Sequence, residues 1–244
     1  MIFTYLQKTS LQDFPDIISC IIFVAGCSFR CPMCYNSQFL DLKEGLISEE
    51  EIISFLEKRK GKLDGVVISG GEPLIYPEIN IFLQKIRDLG YKIKIDTNGS
   101  NPENLKNIID AKLVDYVAMD IKADKENYEK VAGVKVNLEN IEKSMKILAD
   151  AKMNGKIDYE FRTTLCPIIS SDVIKEMSEK EIENIAKWIA PIDKEAKYYL
   201  QPFLPENGRL LDKRLENEKK TKSETLKLAE EISRKFISRT YIRA

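Results

Sequence analysis

Ile17-Ile18-Ser19-Cys20-Ile21-Ile22-Phe23-Val24-Ala25-Gly26 runs without a charge into Cys27-Ser28-Phe29-Arg30-Cys31-Pro32-Met33-Cys34. The apolar, β-branched part reads as a strand covered on both faces, as in a parallel sheet. The second part delivers three thiols to one point and supplies no fourth. A structural zinc site closes with a fourth Cys or His, whereas an open position belongs to a metal that does chemistry. Histidine is absent from all 244 residues. The candidates for a fourth ligand are therefore Cys20, Cys166, distant carboxylates or a group that is not protein.

Downstream the strand-plus-loop unit recurs. Ser48-Glu49-Glu50-Glu51 resembles a capping box, and Ile52, Ile53, Phe55 and Leu56 follow at helical spacing until Gly61 stops the helix. Residues 65–69 read as a strand, 78–89 as a helix ended by Gly90, and 91–96 as the next strand. Asn101 is a cap with Pro102 at the first helical position, and the short helix behind it leads to a strand at 113–121. Residues 138–153 are helical by period, 157–165 a fifth strand, 180–189 a helix carrying Trp188, and 197–200 a sixth strand. A charged helix at 223–239 closes the chain, with Leu226, Ala229, Ile232 and Phe236 on one face. Six alternations imply right-handed crossovers and a parallel sheet. The expected fold is α/β: a partial (β/α)6 TIM barrel with parallel strands and a C-terminal helix. A doubly wound open sheet is the competing architecture. One domain is expected over 1–244, with a core at about 15–203, a helical extension at about 204–244, and its loosest stretch at 202–215.

Bulk properties narrow the function. Lys and Arg number 38 against 39 Asp and Glu, so no global charge attracts nucleic acid or a membrane, and neither is expected as a partner. The longest apolar run is about half the roughly 20 residues a membrane span needs, and it follows no basic start of the signal-peptide kind. Five cysteines, three of them within eight residues, argue against a disulfide framework and for a reducing compartment, so a cytoplasmic location is expected.

In parallel α/β folds ligands bind at the carboxyl ends of the strands, and the unusual residues of this chain collect there. The first strand ends in the cysteine loop, the second in Ser69-Gly70-Gly71-Glu72-Pro73, and the third in Asp96-Thr97-Asn98-Gly99. The fourth ends in Met119-Asp120-Ile121-Lys122, the fifth carries Arg162-Thr163-Thr164, and the sixth runs into Gln201-Pro202-Phe203. Each has a bland reading. The cysteines suit a zinc loop, Gly70-Gly71 a tight turn, Asn98-Gly99 a standard turn dipeptide, and Asp120 with Lys122 an ordinary ion pair on one strand face. Arg162 facing inward is expensive unless it meets an anion. Cys20 and Cys166 read as small buried fillers and Trp188 as helix packing. Six polar loops on one rim make the rim the site.

Cys-x3-Cys-x2-Cys followed by Gly-Gly-Glu-Pro resembles the signature of the radical S-adenosylmethionine (radical SAM) superfamily across nearly the whole chain. The run from Lys8 to Pro15, the cysteine loop, Asp96-Thr97-Asn98-Gly99, Val117 to Lys122 and Phe161 to Thr164 resemble the activating proteins of anaerobic ribonucleoside-triphosphate reductases, close relatives of pyruvate formate-lyase activating enzyme. That resemblance implies one [4Fe–4S] cluster held by Cys27, Cys31 and Cys34, with S-adenosylmethionine on the fourth iron. Gly70, Gly71 and Glu72 then receive the methionine amino group. Asp96, Thr97, Asn98, Asp120, Lys122 and Arg162 fall in motifs facing the rest of that molecule, Lys122 also counting among the catalytic group. In relatives an aromatic precedes the third cysteine and contacts adenine. Here Met33 stands there, with Tyr35 beyond Cys34 as a substitute ring. Gln201 occupies the region where pyruvate formate-lyase activators carry a His, which favours the reductase branch.

The implied activity is reductive cleavage of S-adenosylmethionine and formation of a glycyl radical on a partner enzyme, expected to be an anaerobic ribonucleoside-triphosphate reductase. Electrons would come from flavodoxin or ferredoxin. Two alternatives stand beside it: activation of pyruvate formate-lyase or modification of a small molecule or nucleic-acid base by the same chemistry, and a non-catalytic metal-binding module.

Overall fold

The computed structural model describes residues 1–171, 173–207 and 209–243. Among these, eight strands form one sheet: β1 (Phe3–Ser10), β2 (Ser19–Val24), β3 (Gly65–Gly70), β4 (Lys92–Thr97), β5 (Tyr116–Asp120), β6 (Asp158–Leu165), β9 (Lys197–Pro202) and β10 (Thr240–Ile242). They lie side by side in that order. A separate antiparallel hairpin joins β7 (Ile168–Ser170) to β8 (Val173–Lys175). From β2 to β10 all neighbours in the large sheet are parallel, while β1 runs antiparallel to β2. This is the expected partial barrel with one strand added at each edge.

Among the described residues seven helices accompany the sheet: α1 (Glu49–Lys58), α2 (Ile79–Asp88), α3 (Pro102–Asp110), α4 (Tyr128–Ala132), α5 (Leu138–Met153), α6 (Glu179–Ile189) and α7 (Ser223–Arg234). Their starts follow local chemistry. Ser48 with Glu51 and Ser178 with Glu181 close reciprocal capping boxes, and Asn101 accepts from the Asn104 amide ahead of a helix that begins with Pro102. Each such cap contributes about 1 kcal/mol. The closing helix stops at Arg234 rather than running to Arg239, because the chain turns to add β10 beside β9.

Alternation along the strands sorts the two faces. Cys20, Ile22 and Val24, Val66 and Ile68, Ile93 and Ile95, and Val117 and Met119 join the large core beneath the helices. Phe14, Ile21, Val67 and Tyr116 form a small apolar floor on the concave side, with Ile17 and Phe23 against it. Above that floor the concave face turns polar. Parallel register brings the strand ends level, so Val24 pairs with Gly70, Asp96 with Ala118, Asp120 with Arg162, and Thr164 with Gln201. No pairing joins β1 to β10 among the described residues, so the barrel is open along one side. The stretch at 202–215 folds into short 3-10 turns at Pro205–Asn207 and Lys213–Asn217; Gly208 within it lies outside the described residues.

Candidate active site

Each of the six strand-end motifs contributes residues to one cavity of about 440 Å³ at the carboxyl ends of the strands, and every candidate cluster and S-adenosylmethionine residue is among them. The cysteine loop forms one wall. The Cys34 amide donates to the Cys31 carbonyl at 3.0 Å, turning the chain between the last two thiols. Cys27 Sγ accepts from the Phe29 amide at 3.3 Å and from Asn98 Nδ2 at 3.6 Å. Arg30 folds back, its guanidinium donating to the Cys27 and Phe29 carbonyls at 2.7 and 2.9 Å. Burial pushes the Cys27 thiol up to about 11 and Cys31 up to about 12, and raises Cys34 as well. A metal taking these sulfurs must displace their protons.

The Gly-Gly-Glu loop sits on the cysteine loop so closely that side chains are excluded. A Cβ on Gly71 would lie 1.8 Å from the Gly26 carbonyl oxygen, and Gly70 at φ +109° would meet the Val24 backbone at 2.6 Å. The glycines are thus required first by β2 and the turn that follows it, with the Glu72 amide donating to the Gly26 carbonyl at 2.8 Å. Glu72 is 1% exposed. One of its oxygens accepts from Thr97 Oγ1 at 2.7 Å and the Leu74 amide at 3.1 Å, the other from the Asn98 amide at 2.6 Å. The carboxylate therefore clamps the second strand-end loop to the third and keeps acceptor capacity for one more donor. Burial pushes Glu72 up to about 7 although these donors pull the other way.

A row of alternating charge crosses the middle of the concave face. Lys94, 1% exposed, pairs with Asp96. Arg162 bridges Asp96 at 3.4 Å and Asp120 at 2.8 Å, and Lys122 Nζ lies 2.9 Å from the other Asp120 oxygen. The inward arginine thus meets two anions. Burial raises the Asp120 carboxyl, but Arg162 and Lys122 overcome it and hold the group down at about 2. Asp96 is held below the usual carboxylate range against burial in the same way, by Arg162 and Lys94. Lys122 is held above its ordinary value, Asp120 outweighing burial.

At the far end Met33 is 7% exposed and Tyr35 stacks on Phe203 with ring centres 6.5 Å apart, its hydroxyl accepting from the Leu204 amide at 2.8 Å. Gln201 lines the same cavity. Cys20 and Cys166 are buried and do not line it, and Trp188 packs edge-on against Tyr128.

Three features escaped the sequence reading. Arg243, next to β10, reaches into the cavity and grips buried Glu160 through both guanidinium nitrogens at 2.5 and 2.9 Å. Gln12 and Asp13, beyond β1, line the cavity from the opposite edge. Helix α4 abuts the cysteine loop, with the Arg30 amide donating to the Ala132 carbonyl at 2.8 Å and Gly133 leaving room for the Arg30 carbonyl. The strand that ends just before Arg243 and helix α4 are three and five residues long, too short to show a period.

The family model for the Radical SAM superfamily matches residues 21–189. The chain belongs to the radical SAM superfamily. A Methanocaldococcus jannaschii protein provisionally named a glycyl-radical enzyme activating enzyme is 33% identical over 238 residues, 96% of this chain and 92% of its own. Pyruvate formate-lyase-activating enzyme of Clostridium pasteurianum is 33% identical over 135 residues, covering 52% of this chain and 56% of its own. In fold, this radical SAM chain is similar to Streptococcus suis SuiB bound to S-adenosylmethionine, with a TM-score of 0.64 at 13% identity. That match covers 92% of this chain and 49%, about half, of SuiB.

Membership makes the chain an enzyme that uses a [4Fe–4S] cluster and S-adenosylmethionine. Its residues fit such a group. The available donors are three thiols lining one cavity, with no histidine in the chain to complete a zinc site beside them. An all-sulfur donor set with one position left open suits an iron–sulfur cluster. Among the described residues, no helix is long and apolar enough to cross a membrane.

Proposed function

We propose that Cys27, Cys31 and Cys34 hold the cluster, that the rim binds S-adenosylmethionine, and that the chain generates the glycyl radical of an anaerobic ribonucleoside-triphosphate reductase. The observation that carries this is the convergence of the three thiols and every strand-end motif on one cavity that is open at the barrel edge. When bound, the cluster and S-adenosylmethionine supply one-electron cleavage to methionine and a 5′-deoxyadenosyl radical, which takes hydrogen from a glycine.

The protein's own part is alignment and exclusion of water. Glu72, with one acceptor position left, and the Gly70 and Gly71 carbonyls receive the methionine ammonium. Lys122 offers a cation to the methionine carboxylate, and Asp120 an acceptor to the ribose hydroxyls. Asp96 and Arg162 keep that row rigid, since each charge already has its partner. Thr97 and Asn98 fix Glu72 from the next loop. Met33, Tyr35 and Gln201 form the adenine end. The open side between β1 and β10, edged by Gln12, Asp13 and Arg243, admits a loop of the partner. The electron donor in this reading is a flavodoxin or ferredoxin, and the enzyme works in the cytoplasm.

Anaerobically reconstituted protein, reduced with dithionite in the presence of S-adenosylmethionine, should release 5′-deoxyadenosine. No release from a chain with an intact cluster overturns the reading. Incubated with an anaerobic reductase, it should then raise the glycyl-radical doublet in the electron paramagnetic resonance (EPR) spectrum. The shared stretch with the clostridial activating enzyme supports a second reading, pyruvate formate-lyase as partner, and the same doublet on that lyase alone would select it.

A further inference from the structure

Apart from one bridge between Phe3 and Ile47, the outer edges of β1 and β10 are unpaired among the described residues, so the open seam of the barrel is bounded by two free strand edges. Each edge carries an aromatic pair. Tyr5 stands opposite Phe23 with ring centres 5.7 Å apart, and Tyr199 opposite Tyr241 with ring centres 5.5 Å apart. Phe23 packs on the concave floor and Tyr199 is in register with Arg162, so both pairs belong to the concave face. Yet Tyr5 is 55% exposed and Tyr241 37%. The groove along Tyr5 and Phe23 shares Tyr35 and Asn36 with the active-site cavity, so the seam runs into that cavity without a break. Beside the second pair Arg243 lines the cavity and is pinned. Its guanidinium lies 3.7 Å from the centre of the Tyr199 ring and forks onto Glu160, which is fully buried and also accepts from the Tyr116 hydroxyl at 2.8 Å. Two of the five guanidinium N–H groups are used there, and the other three have no acceptor among the described residues. Glu160 neutralises the charge, so these are fixed donors suited to a peptide carbonyl rather than to an anion.

We propose that this seam docks an extended segment of the partner protein, Arg243 donating to main-chain carbonyls beside the target glycine and the two aromatic pairs holding the side chains that flank it. The inference rests on the partner reading made above. A glycine presents no side chain at the carbon that loses hydrogen, so it can be recognised only through its peptide groups and its neighbours. An extended segment supplies both: carbonyls for Arg243, N–H groups for Gln12 and Asp13 on the opposite edge, and flanking side chains for the aromatic rings. A small molecule at the centre of the cavity would leave both aromatic pairs bare.

The test is Arg243→Lys, which keeps a positive charge beside Glu160 and removes the fork. With the anaerobic reductase as substrate, initial rates of growth of the EPR doublet should give a KM raised about tenfold, with kcat held within about twofold. Tyr241→Leu, which leaves the Arg243–Glu160 pair intact, should raise KM in the same direction, and it decides the matter if Arg243→Lys does not fold. A fall in kcat at unchanged KM, or unchanged kinetics in both variants, overturns the proposal. So does a chain that sediments as a dimer and becomes monomeric in Tyr241→Lys at unchanged KM, because a second copy then fills the seam. A wild-type chain that releases 5′-deoxyadenosine yet raises no doublet on the reductase or on pyruvate formate-lyase instead overturns the partner reading beneath it.

Discussion

Two walls of one cavity are built on opposite terms. Along the charge row each ion is already matched: Lys94 with Asp96, Arg162 with Asp96 and Asp120, Asp120 with Lys122. In the cysteine loop burial holds the protons on the thiols, outweighing the Lys122 charge that pulls all three the other way. The row is organised before any ligand arrives, whereas the loop is organised by what it binds. Preorganised charge loses little on binding a polar molecule, and thiols that must give up protons bind a metal with strong pH dependence.

The largest effect should come from breaking the loop. Cys31→Ala removes one of three donors, and reconstituted protein should lose its iron and release 5′-deoxyadenosine only at background, while the circular dichroism of the sheet is retained. Breaking the row should instead cost stability. Arg162→Met strands two buried carboxylates, and denaturant unfolding should show a loss of about 3–5 kcal/mol. Where loop and row meet, Gly71→Ala forces a methyl group into the Gly26 carbonyl, and an unfolding loss of about 1–3 kcal/mol is expected together with weaker S-adenosylmethionine binding.

Glu72 connects the two walls and makes their difference visible in pH. Its folded value of about 7 lies above the ordinary carboxylate value, so the folded chain holds this proton more tightly than the unfolded one. Its contribution to stability is therefore present at acid pH and lost as pH rises towards 7. Affinity for the methionine ammonium runs the other way. It should rise about tenfold between pH 6 and 7.5 by calorimetry, then fall above about pH 8 as the ligand's amino group loses its proton. Glu72→Gln should bind more weakly and flatten the acid limb. The smallest change expected is at Tyr35→Phe, which removes the acceptor for the Leu204 amide and should lower stability by about 1 kcal/mol, leaving iron content unchanged.

Sequence alone determined the strand-loop alternation, the thiol spacing and the rim, because strand period, caps and strand-end motifs are local properties. Residues 138–153 were legible to the residue as α5, and Ser48 and Asn101 announced their helices. Reading the two glycines as a tight turn was local reasoning too, and it missed their nearer causes, the Val24 backbone beside Gly70 and the Gly26 carbonyl beside Gly71. Only the tertiary structure decided where each polar group ends. It turned Glu72 towards Thr97 and Asn98, set Arg162 between two aspartates, and brought Arg243 over β9 to Glu160 on β6. It also added β1 and β10 as open edges and pressed α4 onto the cysteine loop. These arrangements depend on contacts between residues far apart in the chain, formed only when the sheet has taken its register, and no local period encodes them.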